Sequence, residues 1–125
     1  IFYKSWSFEC VEFKYIKIND TLPINEFGLS IWTEKEVKLV SISSLFKNEL
    51  RNIQKNGTAV CTIDKLPLVP GNYFLNVFIS TKNGIEDYIV KALKFNVAEK
   101  DVFGTGKNVH PDWGAIAIDH SWKLI

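Results

Sequence analysis

His110 and His120 are the only histidines in the chain, and with Cys10, Cys61 and the acids they are the side chains that could ligate a metal. A structural or catalytic zinc site draws its ligands at short, regular spacings from one or two elements. Neither histidine stands at such a spacing from another His, Cys or carboxylate, although Asp119 adjoins His120. No Gly-x-Ser-x-Gly elbow and no cysteine–histidine signature occurs. Asp87 could act with a second acid on a glycosidic bond, because that chemistry needs two carboxyl groups close together. Acids on the loops of any β-sandwich are usually solvated, however, and Glu86-Asp87-Tyr88 is better taken as a polar rim. Phe103-Gly104-Thr105-Gly106-Lys107 has the outline of a phosphate loop without its substance. That motif needs a glycine five residues before the Gly-Lys pair and a hydroxyl residue after it, where this chain has Asp101 and Asn108. The glycines therefore serve a tight turn. These patterns point to binding and not to catalysis.

The elements that would position a binding surface fit one domain. The chain has 125 residues, which leaves room for one core and not two. Its 46% hydrophobic and 14% aromatic content is that of a globular chain. Fifteen basic and fourteen acidic residues are spread without blocks, which argues against a nucleic-acid partner and against an anionic membrane surface. No stretch is long and apolar enough to span a bilayer, and Ile1 to Cys10 lacks the character of a signal peptide. Methionine is absent altogether, so the chain is read as a piece of a longer protein.

Short β-rich runs alternate with turn residues. Val11 to Ile18 sets Val11, Phe13 and Tyr15 against Glu12 and Lys14, and the Asn19-Asp20 turn follows. Further strands are expected over Phe27 to Thr33, Val37 to Ser44, Thr58 to Leu66, Asn72 to Thr81 and Tyr88 to Val97. The segment Leu45 to Gln54 is the one candidate for a helical turn. Such spacing with little helix predicts a sandwich of two antiparallel sheets. Residues 1–98 would form its body, with or without a first edge strand, and 99–125 a loop and a last strand completing the same domain.

The stretch Leu66-Pro67-Leu68-Val69-Pro70-Gly71-Asn72-Tyr73 resembles the corner before a central strand in immunoglobulin-like sandwiches, where a tyrosine points inward onto nearby backbone. With Tyr73 inward, period-2 alternation buries Leu75, Val77 and Ile79, and likewise Phe27, Leu29 and Ile31, then Phe95 and Val97. The opposite face then carries Trp32, Phe74 and Phe78 among Ser30, Asn76, Lys94 and Asn96. Aromatic rings offer platforms to the C–H faces of sugars, and amides, hydroxyls and a lysine can hold sugar hydroxyls. These seven residues are the candidate ligand site. A face covered by the chain's own tail or by a second subunit accounts for the same pattern, and both readings stand at this point. The immunoglobulin likeness does not extend to its disulfide. Trp32 lies between Cys10 and Cys61, but Ala59 stands where a tyrosine belongs two residues before the second cysteine, so two buried thiols are expected.

The last part of the chain adds Trp113-Gly114-Ala115-Ile116-Ala117-Ile118-Asp119-His120-Ser121-Trp122 to the Phe103-Gly104-Thr105-Gly106 loop. Together with Leu66, Leu68, Gly71 and Tyr73 of the corner, Phe95 and Val97, and Phe27, Gly28, Leu29 and Ile31 upstream, this order resembles the C-terminal domain of Wzt-type proteins. These are the ATP-binding components of ABC transporters for O-antigen polysaccharides. The resemblance covers about Val11 to Trp122.

The resemblance implies an immunoglobulin-like, all-β antiparallel sandwich whose C-terminal strand, Gly114 to Ile118, is open to exchange in a dimer. It implies a non-catalytic glycan-binding module that takes the non-reducing, capped end of a lipid-linked surface polysaccharide. Implied partners are that polysaccharide, a second copy of the chain, and a membrane-spanning transporter subunit reached through the full-length protein. The implied location is cytoplasmic, at the inner face of the bacterial inner membrane. No cofactor is expected for this segment, ATP and magnesium belonging to an N-terminal nucleotide-binding portion. Two alternatives from other classes are a structural or adhesive immunoglobulin-like domain and a sugar-binding accessory domain of a carbohydrate-active enzyme.

Overall fold

β-Branched and aromatic residues at alternate positions drive the chain into antiparallel strands. The structure is a computed structural model describing residues 6–7, 10–16, 23–63, 66–98 and 103–125. Within these residues the strands are β1 (Trp6–Ser7), β2 (Cys10–Ile16), β3 (Ile24–Thr33), β4 (Lys38–Ser43), β5 (Asn56–Thr62), β6 (Gly71–Thr81) and β7 (Gly84–Val97). They form two sheets, one ordered β1-β2-β5 and the other β4-β3-β6-β7. The Asn19-Asp20 turn expected from the sequence lies outside the described residues.

The two sheets share one core. The residues named as inward on β3, β6 and β7 are all buried: Phe27, Leu29, Ile31, Tyr73, Leu75, Val77, Ile79, Phe95 and Val97. Phe13 and Tyr15 of β2 meet them from the other sheet, with ring centroids 5.8 and 4.9 Å from that of Phe27. Cys61 lies half-buried at the edge of this core, and the ladder sets it opposite Val11 while Cys10 stands opposite Thr62. The two cysteines are thus not register partners.

The corner before β6 has the form anticipated. The Tyr73 hydroxyl donates to the Val69 carbonyl four residues back, and its ring stacks on Phe95 at 5.7 Å. Burial pushes the Tyr73 phenol above its ordinary value of 10.0. Since folding favours the neutral phenol, this contribution is complete below pH 10.0 and is lost as the pH rises through the folded value. Tyr73→Phe is expected to cost about 1 kcal/mol at neutral pH, because it leaves the Val69 carbonyl without this donor. The same variant should lose less stability than the wild type above about pH 10, as followed by urea denaturation. Some alkaline sensitivity should persist, because burial also raises Tyr15.

Two expectations are corrected. The segment expected to hold a helical turn is instead a run of turns over residues 44–48 followed by irregular chain. Asn48 and Asn52 sit in the left-handed region, with φ of 51° and 52°, and a residue there ends helical continuation. Glu86 and Asp87, taken for loop acids, lie within β7.

The tail folds along the chain's own corner. Val69 donates to the Ala115 carbonyl at 2.9 Å and Ala117 to the Pro67 carbonyl at 2.7 Å, around a single antiparallel bridge between Leu68 and Ile116. Gly114–Ile118 therefore makes one bridge in place of a full strand. Beyond it Ile118, Trp122 and Leu124 are exposed.

Candidate functional site

The outer face of the four-stranded sheet is built from cross-strand rows. Trp32 stands opposite Phe74, Ser30 opposite Asn76, and Gly28 opposite Phe78 on β3 and β6. Across the next pair Phe74 faces Lys94, Asn72 faces Asn96, and Phe78 faces Tyr88. All seven candidate residues therefore do share this sheet face, but they are not equally open. Trp32 and Phe78 are half-buried and Lys94 and Asn96 exposed, whereas Ser30, Phe74 and Asn76 are 7%, 6% and 5% exposed.

Neighbours on the same face do the covering. The Trp32 and Phe74 rings stack with centroids 6.1 Å apart and planes 6° from parallel. The Trp32 indole N–H donates to the Ser30 hydroxyl at 2.7 Å, which satisfies the indole and the buried hydroxyl together. Phe78 stacks on Tyr88, and the tip of its ring reaches over Gly28, where an added Cβ would fall 2.1 Å from it. Glycine at position 28 is thus required by the close approach of the ring.

Asn76 has a different task. The ladder between β6 and β7 shifts register between Leu75, opposite Leu93, and Val77, opposite Ile89, which leaves three residues of β7 facing Asn76. The Asn76 side chain fills this bulge: its Oδ1 accepts from the Lys91 backbone N–H at 2.8 Å and its Nδ2 donates to the Tyr88 hydroxyl at 3.1 Å. Lys91 itself is in the left-handed region with φ of 53°, a costly conformation for a residue with a side chain. Asn76→Ala is expected to cost about 2 kcal/mol, from two lost bonds and an unpartnered Lys91 N–H. Amide hydrogen exchange at Lys91 should quicken in that variant more than exchange at Leu93.

The bulge turns Lys91 onto the outer face, and two lysines cap the aromatic rings. Lys91 Nζ lies 5.1 Å from the Phe74 ring centroid, and Lys38 Nζ lies 5.2 Å from that of Trp32. Lys91 also meets the Glu36 carboxylate at 3.6 Å. Between the β3–β4 turn and the end of β7 runs a groove of about 440 Å³ lined by Glu34, Asn72, Phe74, Lys91, Lys94 and Asn96, with Tyr73 and Phe95 behind. Its size suits a sugar residue or two. The Asn96 amide is held by Asn72 Oδ1 at 2.8 Å and by the Gly71 carbonyl. Asn96 is thereby fixed in place.

Sequence reading missed Lys38, Lys91, Glu34 and Asn72 as members of this surface. Glu34 belongs to the tight β3–β4 connection, closed by Glu36 N–H to the Thr33 carbonyl at 2.9 Å, and Lys38 opens β4 opposite Trp32. Asn72 could have been found by the same alternation that selected Phe74, two positions on.

A second cavity of about 410 Å³ opens where β4 and β5 leave the sandwich edge uncovered, over Phe27, Leu29, Ile42 and Cys61. Elsewhere, Gly104 and Gly106 take φ of 76° and 77° in an exposed turn that opens no α-helix, so Phe103–Lys107 does not fit a nucleotide phosphate. Among the described residues no three His, Cys, Asp or Glu side chains gather as a metal site. His110 lies 3.6 Å from the Asp112 carboxylate, and its ring packs against Trp113.

An antiparallel sandwich whose open sheet face carries a lysine-capped aromatic groove has the architecture of a binding module. The chain belongs to the Wzt C-terminal domain family, whose model matches residues 9–110. A solved structure described as the crystal structure of the C-terminal domain of wzt has the same fold, with a TM-score of 0.62 at 18% identity. That match covers 93% of this chain and 68% of the other. No curated protein matches. Domains of this family are associated with carbohydrate binding in O-antigen ABC transporters, as binding modules and not catalytic domains.

Proposed function

We propose that this chain is a glycan-binding module that recognises the non-reducing, capped end of a lipid-linked surface polysaccharide and so licenses its export. The observation that carries the reading is the groove at Phe74, Lys94 and Asn96, a concave site of sugar size on the outer sheet face. In this reading Trp32, Phe74 and Phe78 give the face its apolar surface, Lys94 and Asn96 contact the ligand, and Ser30 and Asn76 hold the face in shape from beneath. End recognition suits a short groove, because a groove that holds one or two residues reads a terminus more readily than a repeat.

The module would work as a homodimer at the cytoplasmic side of the inner membrane, joined through its full-length protein to a membrane-spanning subunit. ATP and magnesium chemistry would lie in a separate nucleotide-binding portion of that protein. The exposed Ile118, Trp122 and Leu124 support a dimer formed through the tail, and the single bridge at Ile116 makes exchange of that segment between copies inexpensive.

The test is a two-dimensional NMR titration with surface polysaccharide from the source strain, intact and lacking its non-reducing terminus. Amide shifts at Trp32, Phe74, Lys94 and Asn96 are expected with the intact glycan only. A folded protein that responds to neither sample overturns the reading.

A further inference from the structure

The edge cavity between β4 and β5 differs in kind from the groove on the outer face. Its floor is the core itself, Phe13, Phe27 and Leu29, each at most 5% exposed, so it reaches in between the two sheets. Ala59 and Cys61 of β5 line one side and Ile42 of β4 the other, while the exposed Lys47, Glu49 and Leu50 of the β4–β5 connection form its mouth. The hydroxyls that border it are already engaged. Ser44 Oγ accepts from the Phe27 backbone N–H at 3.0 Å, and the Ser43 hydroxyl donates to the Glu26 carboxylate. Among the described residues no buried side-chain nitrogen or oxygen lacks a partner. A sugar or a peptide backbone placed inside would leave its own donors and acceptors unmet, which is costly. The part of a ligand that enters is therefore apolar. At about 410 Å³ the space is well above the ~150 Å³ that admits a benzene, and it takes roughly a dozen carbon atoms. The mouth continues the same chemistry outward. Leu45, Phe46 and Leu50 are exposed together on the connection, whose residues 44–55 carry Lys47, Arg51 and Lys55 against one carboxylate, Glu49. Lys47 reaches Glu49 at 3.3 Å, but both side chains are largely exposed and the pair contributes little, so Lys47 can turn to another anion.

We infer that the edge cavity binds a single anionic amphiphile, its alkyl chain between the sheets and its headgroup beside Lys47. An apolar depth, an apolar rim and an excess of positive charge on the connection are together complementary to such a molecule. The site lies between the sheets and not on the outer face, so it stands or falls apart from the glycan reading. Each methylene taken from water adds to the binding, and affinity therefore rises with chain length. A chain that fills the space binds the folded protein alone, and so stabilises it by mass action.

Three probes, kept below their micelle concentrations, decide the matter by NMR titration: decyl phosphate, butyl phosphate and decyltrimethylammonium. Decyl phosphate is expected to shift Ile42, Ala59 and Cys61 saturably and to raise the urea midpoint, with the Lys94 and Asn96 amides of the outer groove unmoved. Butyl phosphate should bind about a hundredfold more weakly, because it buries far fewer methylenes. Decyltrimethylammonium should bind about tenfold more weakly than decyl phosphate, for want of a partner to Lys47. Ala59→Leu, which places extra carbons in the cavity, should abolish binding of decyl phosphate. Leu50→Asp, at the exposed rim, should keep the fold and weaken that binding about tenfold. Native amide positions at Phe74 and Lys91 show whether each variant is folded, and if Ala59→Leu is not, Leu50→Asp decides alone. No saturable shift with decyl phosphate, equal affinity for the cationic probe, or undiminished binding by the folded variants overturns the inference. So do shifts at Ile42, Ala59 and Cys61 that follow protein concentration in place of the probe, which would assign the cavity to a second copy of the chain.

Discussion

Leu75→Ala is expected to lower stability by about 3–4 kcal/mol, read as a fall in the urea midpoint with an unchanged slope. Leu75 is 0% exposed at the centre of β6, between Ile31 on β3 and Leu93 on β7. Its neighbours cannot close over the lost volume, because β3 and β7 are fixed in register on either side and the other sheet lies across the core. The cost therefore includes the cavity as well as the transfer term. The same variant should leave the outer face nearly unchanged while the protein stays folded. Leu75 points away from that face, and the stack of Trp32 on Phe74 and the Asn76 bonds at the bulge do not pass through it. Amide shifts at Lys91 and Lys94 close to those of the wild type, in a protein that unfolds at lower urea, are the expected pair of observations.

That separation of faces was legible in the sequence because a single residue set the parity. Once Tyr73 is inward, period-2 alternation assigns β6, and the register carries the assignment to Phe27, Leu29 and Ile31 and to Phe95 and Val97. All of these are buried. The outer face was legible as a list of residues but not as a surface. Whether Phe74 is open depends on its cross-strand neighbour, and the Trp32–Phe74 stack follows from a pairing that no local pattern specifies. The bulge in β7 was the larger loss. Counting back from inward Phe95, alternation puts Leu93 inward and then Lys91 inward too, an expensive place for a lysine. That conflict was the available signal of an irregularity. Reading it would have moved Lys91 to the outer face and given Asn76 its structural task. The lysines over the rings could not be read from the sequence, because they come from β4 and from the bulge and meet only in the folded sheet.

Phe74→Ala is expected to cost about 3 kcal/mol and to abolish binding of the intact polysaccharide. Its ring is the support for Trp32 on one side and for the Lys91 ammonium on the other, and it lines the groove itself. A single alanine variant mixes these roles, so Phe74→Leu carries the sharper expectation. Leucine keeps most of the buried volume, and its stability cost should stay near 1 kcal/mol. It has no π face, so the cation over Phe74 loses its electrostatic anchor and Lys91 its fixed place. The expected outcome is a protein that melts close to the wild type yet binds about tenfold more weakly, with increased mobility at the Lys91 side chain. Trp32→Ala should behave in the opposite proportion at the stack, because the half-buried indole covers Phe74 without lining the groove. Binding retained at full strength in Phe74→Leu would mean that the ring serves only as packing. Lys91 would then be positioned by the Asn76-filled bulge without the ring, and an additional Asn76→Ala change in the Phe74→Leu background should expose that dependence as a further loss of affinity.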